Sequence, residues 1–206
     1  MSSRLIVNQI RHTGASADAI TMDSSGNVTF PANATCSGTA TGFGGGKLLQ
    51  VVQVIKKDVQ SHTGTSFVDI ASFNPSITPT GTNSKIMLDI CLSGNSSGQG
   101  AINLLRSIGG GSYSQLTDYI GDTGSNVYRT TISFGGQENT ARENTGLRIL
   151  DTPSYSSGQA VAYKLQMGNP YHSTYVTYIN KVHYIYNSGG YDKNTISTFT
   201  LSEIGA

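Results

Sequence analysis

The chain has 206 residues, a formal net charge of +1 and only 12% charged residues, about half the usual charged fraction. Scattered Lys and Arg residues at near-neutral charge exclude the basic footprint of a nucleic-acid binder, and the shortage of Glu, Lys, Ala and Leu excludes a coiled coil. The chain has no apolar run typical of a signal peptide or a membrane helix, so we expect a protein made in a cytosol, without membrane insertion.

Residues 1–46 predict short strands separated by turns. Ile20 and Met22 alternate with polar residues, as do Val28 and Phe30, and the turn-forming run DSSG lies between the two pairs. One chain has too few large apolar side chains here to build a core, but several copies that wrap together can share one. The sequence therefore predicts an attachment segment and an intertwined β-stalk, with a disordered tail as the alternative. Three consecutive glycines at 44–46 mark a joint.

Residues 47–206 predict many strands with turns every 8–15 residues or so, and no segment has a helical period. The candidate strands are 48–59, 66–70, 85–92, 101–108, 127–134, 147–151, 160–167, 175–179, 182–186 and 195–204. Short strands at this spacing are typical of an antiparallel β-sandwich or jelly roll. The predicted fold class is therefore all-β: a stalk at 1–46 followed by a jelly-roll-like head at 47–206.

Two cysteines, Cys36 and Cys91, are too few for a disulfide framework. Cys91 lies in an apolar strand pattern, which predicts a small buried side chain.

Charged residues near strand ends predict structural roles. The cluster at 56–58 (KKD) is typical of a solvated group that protects a sheet edge. Arg106 ends an apolar strand, where it would form an ion pair with Asp118 or Asp122, or bind the carboxylate of a ligand.

No motif predicts catalysis, a metal or a cofactor. The four histidines are isolated from one another and from any cysteine pair: His12, His62, His172 and His183. Two carboxylate pairs could serve a glycosidase, but both lie in loops rich in Gly, Ser and Asn: Asp118 with Asp122, and Glu138 with Glu143.

Tyrosine carries the strongest recognition signal. All 11 tyrosines lie between Tyr113 and Tyr191, and a tyrosine offers a rigid apolar face with a hydroxyl group, which suits a binding surface. Tyrosines in strand patterns are expected in the core or at a subunit interface: Tyr128, Tyr163, Tyr175, Tyr184 and Tyr186. The candidate receptor-binding residues lie in loops: Tyr113, Tyr155, Tyr171, His172 and Tyr191. Distal loops are expected near 109–126, 135–146 and 168–174.

The opening segments LIVNQI, AITMDSSGNVTFP and SGTATG resemble the start of small fibre proteins of tailed bacteriophages, especially marine and cyanobacterial ones. Later segments resemble the β-sandwich head of such fibres: LLQVVQ, TSFVDI, SITPTGTNSKIMLDI, LLRSIGG, SSGQAVAYKLQM and ISTFTLSEIGA. The resemblance implies a virion protein assembled in the host cytoplasm, usually as a homotrimer. It also implies an N-terminal segment attached to other virion proteins, a host-facing C-terminal domain and no established catalytic residues.

The sequence thus predicts a non-enzymatic homotrimeric tail fibre or spike whose head recognises a host-surface glycan. Three alternatives stay open: a virion decoration, collar or connector subunit, a polysaccharide-degrading enzyme, and a trimeric signalling or adhesion jelly roll of cellular origin. A polar groove lined by tyrosine would favour receptor binding, and a large flat apolar patch would favour the connector.

Overall fold

The structure, a computed structural model, describes residues 7–31, 47–135, 143–182 and 194–205. The chain divides into the units Met1–Gly44 and Gly45–Ala206, which are considered separately. Both units are built from antiparallel strands, which confirms the predicted all-β class, and a 3-10 turn at Thr117–Tyr119 is the single helical element in the described ranges. The joint at 44–46 and Cys36 lie outside those ranges.

The N-terminal unit contains a three-stranded meander of β1 (Gln9–Ile10), β2 (Ile20–Met22) and β3 (Val28–Thr29). The turn between β2 and β3 is the predicted one, because Asp23 Oδ1 accepts hydrogen bonds from the amides of Ser25 and Asn27, both at 2.9 Å.

One face of this small sheet is apolar. Ile10 lies opposite Ile20, and Met22 lies opposite Val28, so all four side chains share a face. The other face is polar: Gln9, Thr21 and Thr29. No residue between 7 and 31 is buried. A three-stranded sheet needs a covered apolar face for independent stability, and the described part of this unit provides no cover of its own.

In the described residues of the head, twelve strands form two sheets. The first sheet contains β4 (Leu48–Lys56), β5 (Gln60–Thr63), β8 (Lys85–Ser96), β12 (Glu143–Asp151), β14 (Val176–Ile179) and β15 (Ser197–Ile204). The second contains β6 (Val68–Asp69), β7 (Ser76–Ile77), β9 (Gly100–Ile108), β10 (Ser114–Gln115), β11 (Ile132–Phe134) and β13 (Val161–Gly168).

Short strands combine in line, and the result is a jelly roll. β15 and β14 pair with successive stretches of β8, β4 and β5 pair with β15 and β14, β6 and β7 pair with β13, and β10 and β11 pair with β9. If strands that continue one another in line are counted together, the described strands form eight positions in chain order. These positions are β4 with β5, β6 with β7, β8, β9, β10 with β11, β12, β13, and β14 with β15. Position one pairs with eight, two with seven, three with six and four with five, in two four-stranded sheets, which is the jelly-roll order.

The core lies between the two sheets and comes from the alternation of inward apolar side chains with outward ones along the strands. On β8 the fully buried side chains are Ile86, Leu88, Ile90 and Leu92, and on β13 they are Val161, Tyr163, Leu165 and Met167. All eight belong to one continuous cluster. Burying each large aliphatic side chain stabilises the fold by roughly 1.5–3 kcal/mol.

A buried ion pair corrects the prediction for Arg106. β9 pairs Arg106 with the inward-facing Tyr163, so the guanidinium points between the sheets rather than toward Asp118 or Asp122. There its Nη1 donates to both carboxylate oxygens of Asp151, at 2.7 Å each, and the Tyr163 hydroxyl donates to the same carboxylate at 2.6 Å. Burial, with the neighbouring carboxylate, raises the pKa of Tyr163, so its hydroxyl remains a donor.

Three further predictions were wrong. Cys91 alternates with the inward Ile90 and Leu92, so it faces outward and is exposed. Lys56 is buried, and its charge is compensated there because its ammonium group donates hydrogen bonds to Asp58 Oδ2 at 2.7 Å and to the Ala71 carbonyl at 2.9 Å. The strand predicted at 127–134 begins only at residue 132. Most of the strand predicted at 182–186 lies outside the described residues.

A buried carboxylate forms hydrogen bonds with the loop that precedes β8, at Thr80 and Gly81. Glu203 is fully buried at the end of β15 and accepts hydrogen bonds from the amides of Thr80 and Gly81, at 2.8 and 3.0 Å, and from Gln50 Nε2 at 2.7 Å. Burial alone would raise the pKa of Glu203, but these donors outweigh it and hold the pKa below the ordinary value.

Replacing this carboxylate should weaken the fold in a pH-dependent way. A lowered native pKa means that the carboxylate stabilises the fold above the ordinary Glu range, and that this contribution is lost as pH falls through the native pKa. We expect Glu203→Gln to reduce the free energy of unfolding by about 1–3 kcal/mol near neutral pH. Urea unfolding at matched protein concentration, near neutral pH and again near pH 3, should show the deficit shrinking in acid. An equal deficit at both pH values would contradict this role for the charge.

Candidate functional site

A groove of about 520 Å³ opens at one end of the head. It lies where Gln99, in the turn before β9, and the first two residues of β9 meet a loop at 126–130, Ser133 on β11, and Pro170 with Tyr171 in the loop after β13. These segments converge because β11 and β13 pair with the start of β9, at Gly100 and Ala101.

The groove lies far from the point where the chain enters the head. β8 ends at Ser96, beside the groove, whereas its first residue, Lys85, pairs with Ile204, which in turn pairs with Leu48 at the start of β4. The 12 residues of β8 extend over roughly 36 Å at about 3.3 Å per residue. The length of the sandwich therefore separates the groove from the beginning of the head.

Two tyrosines provide the aromatic surface of the groove. Tyr171 is 74% exposed and Tyr128 is 50% exposed. The Tyr128 ring stacks on Phe67, with centroids 5.6 Å apart and planes 15° from parallel, so its orientation is supported from outside the groove. Tyr128 was expected in a strand, either in the core or at a subunit interface. It lies in the loop before β11 instead.

The other polar side chains of the lining carry no charge. Gln99, Asn126, Thr130 and Ser133 contribute amide and hydroxyl groups. Thr130 is anchored, because its hydroxyl donates to the Ile102 carbonyl at 2.6 Å. Asn126 has φ of 60°, a left-handed conformation that Asn adopts more readily than most residues, and it turns the chain just before Tyr128. Such a site can stack on an apolar ligand face and form hydrogen bonds with hydroxyl groups.

The other predicted site residues that the structure describes do not line the groove. Tyr113 is half-buried in a separate cleft of about 210 Å³, where the Lys164 ammonium lies 4.4 Å from its ring centroid. Tyr155 packs against the core and donates its hydroxyl to the Gly81 carbonyl at 2.7 Å. His172 is exposed, with Nδ1 2.9 Å from the Thr174 hydroxyl and its ring 4.7 Å from that of Tyr175. Tyr191 lies outside the described residues.

Thus Tyr171 is the one predicted residue that the structure places in the groove, and Tyr128, Gln99 and Asn126 were missed. The run GDTGSN, which ends at Asn126, is a loop signal that could have moved Tyr128 out of the predicted strand.

Among the described residues, no aspartate or glutamate lines the groove. Asp118 and Asp122 are exposed elsewhere, and Glu138 lies outside the described ranges. Within the same ranges, no three His, Cys, Asp or Glu side chains converge as metal ligands. None of the helical structure described there has the length and apolar character to cross a bilayer.

The fold and the groove together define a jelly-roll protein with an uncharged, tyrosine-lined surface at one end of the described head. No protein-family model matches the sequence, and no curated protein matches it either.

The tyrosines of the groove and of the core should differ in their effect on stability. Tyr155→Phe removes a hydroxyl that is bonded to main-chain oxygens, so we expect a loss of about 0.5–1.5 kcal/mol in the free energy of unfolding. Tyr171→Phe, the matched change at an exposed site, should stay within about 0.5 kcal/mol of wild type. Urea unfolding of both variants measures this. A comparable loss for Tyr171→Phe would show that the Tyr171 hydroxyl group also forms a stabilising hydrogen bond within the fold.

Proposed function

We propose that this chain is a non-enzymatic structural protein of a bacteriophage virion, a homotrimeric tail fibre or spike whose head recognises a host-surface glycan. The observation that carries the proposal is the groove containing Tyr128 and Tyr171, which is uncharged in its described lining and lies at the end of the head away from chain entry. Sugar rings present apolar faces and many hydroxyl groups, which this combination of aromatic and polar side chains suits.

Three copies would make a weak site effective. A shallow groove binds one short glycan segment weakly, but three grooves on one particle facing a repetitive surface polymer bind by avidity. The binding is non-covalent and needs no cofactor.

The N-terminal sheet supports assembly from several copies. Its apolar face, with Ile10, Ile20, Met22 and Val28, is uncovered within the described part of its unit. Other copies of the same sheet would cover this face and create the shared core of a stalk. The same segment is the proposed attachment to other virion proteins.

A virion decoration, collar or connector subunit is the second candidate, because one outer face of the head exposes several large apolar side chains, including Val51 and Leu150. A polysaccharide-degrading enzyme has less support, since a pair of acidic groups facing a cleft is needed for that chemistry.

Removing the groove tyrosines should weaken glycan binding without unfolding the head. The full-length protein is applied to an array of bacterial surface polysaccharides, and its bound glycans are then tested with Tyr128→Ala and Tyr171→Ala. We expect each variant to bind about tenfold more weakly, which corresponds to about 1.4 kcal/mol.

Tyr113→Ala is the matched control, because this tyrosine lies in a different cleft. Its binding should equal that of wild type. If the array is bound equally well by all three variants, the groove is not the recognition site. If no polysaccharide is bound, glycan recognition by the head is contradicted and the connector candidate gains weight.

The stalk proposal can be tested with adjacent residues on opposite faces of β2. Ile20→Asp places a charge on the apolar face, whereas Thr21→Asp places the same charge on the polar face. A shared core should not tolerate a buried charge, so Ile20→Asp should reduce the trimer fraction at a fixed concentration, and Thr21→Asp should not. Light scattering after size exclusion gives the mass. Equal behaviour of the two variants would argue against a core on this face.

A further inference from the structure

The outer face of the first sheet contains a row in which three of the four strand positions carry an apolar side chain. The strand register aligns Val51 on β4, Ser202 on β15, Met87 on β8 and Leu150 on β12. Val51 is 53% exposed and Leu150 is 49% exposed, and they occupy the two edges of the row. In a monomeric sandwich, strand positions that face solvent are expected to be polar.

A second row, further along the sheet, adds one large exposed apolar side chain at the β4 edge. It aligns Ile55, which is 46% exposed, with Thr198, the exposed Cys91 and Gly146. The side chains of Ser202 and Thr198 on β15 are small, whereas the larger side chains of β4 project at the edge of the face.

The polar groups between these rows satisfy one another. Gln53 donates to the Thr200 hydroxyl at 2.7 Å, and Asp89 forms an ion pair with Arg148 across β8 and β12. These two charges cancel, so the middle of the face offers no net charge for a charged partner to recognise.

The outer face of the second sheet is different. Asp69 accepts hydrogen bonds there from Lys164 at 2.9 Å and from Gln166 at 2.8 Å, and these side chains form a polar surface beside the cleft of Tyr113. The outer face of the second sheet is therefore suited to contact with solvent, whereas that of the first sheet is suited to burial in an interface.

The size of this face can be compared with that of a stable interface. Four strands about 4.8 Å apart and nine residues long give a footprint of roughly 19 by 30 Å, or about 570 Å². A stable interface buries about 800 Å² on each partner, so the contact between copies that is proposed for the sheet of β1 to β3 would have to contribute separately. Because the middle of the face of the head carries no net charge, a second copy of this chain can pack against it without electrostatic repulsion.

We propose that copies of this chain associate through the outer face formed by β4, β15, β8 and β12, with the β4 edge of one copy against the β12 edge of the next. In a ring of three, each contact joins two different patches, which accounts for exposed apolar side chains at both edges of the same face. This inference rests on the proposed homotrimer and names the surface that forms it.

Charge placed at either edge tests the interface in the full-length protein. Wild type should have a mass of about 65 kDa, three times the chain mass of 21.7 kDa. Val51→Lys and Leu150→Lys should each shift the particle toward 21.7 kDa at a concentration where wild type is intact. Val127→Lys is the matched control, because Val127 is 60% exposed but lies beside the groove, and it should keep the wild-type mass.

Cys91 provides a measurement that does not depend on the fold of a charged variant. In a Cys36→Ser background, its thiol should react with a maleimide at least tenfold more slowly in the assembled protein than after dilution to monomer. A trimer that persists in both lysine variants, with a freely reactive Cys91, would overturn this surface while leaving the homotrimer intact. A monomeric wild type would overturn the homotrimer and this surface together, and array binding by the groove would then be judged separately.

Discussion

The apolar core to which β8 and β13 both contribute is the constraint on which the head depends. Each strand is central in its own sheet, and each contributes an unbroken series of inward apolar side chains. Because β8 carries β12 on one side and β15 with β14 on the other, its register determines which end of the sandwich contains the turn into β9. The groove is built from that turn and from the loops whose strands pair beside it, so its position follows from the packing of the core.

Sequence periodicity predicted the long strands because alternation over eight or more residues is a strong signal. It missed β5, β7 and β10, which are two to four residues long and are formed by pairing with a longer neighbour. The same local argument misjudged the interior charges. Arg106 and Asp151 are 45 positions apart, and Lys56 is satisfied by a carbonyl on a later loop, so neither burial could be inferred from adjacent residues.

The groove was harder to predict than the fold, for a related reason. Tyr171 follows Asn169 and Pro170, and this local turn chemistry is enough to expose it. Tyr128 depends instead on a loop that is held by the Thr130 hydroxyl against Ile102 and by a ring contact with Phe67. Those contacts join segments that are distant in sequence. Periodicity assigned the β-prone residues near 128 to a strand. In the structure, tertiary contacts hold these residues in a loop, and the strand, β11, begins only at Ile132.

The low fraction of charged residues in the chain helps to interpret the difference between the two outer faces of the head. A protein with so few charged residues must obtain solubility from amide and hydroxyl groups, and the second sheet and the groove present these to solvent. Large apolar side chains are therefore conspicuous where they stay exposed, as on the outer face of the first sheet and on the sheet of β1 to β3. Both surfaces carry little net charge, and like surfaces of this kind can pack together without electrostatic repulsion. The proposed association of identical chains would cover the apolar face of the N-terminal sheet, which has no buried residue between 7 and 31. The same association would place several grooves on one particle, so that their binding is strengthened by multivalency.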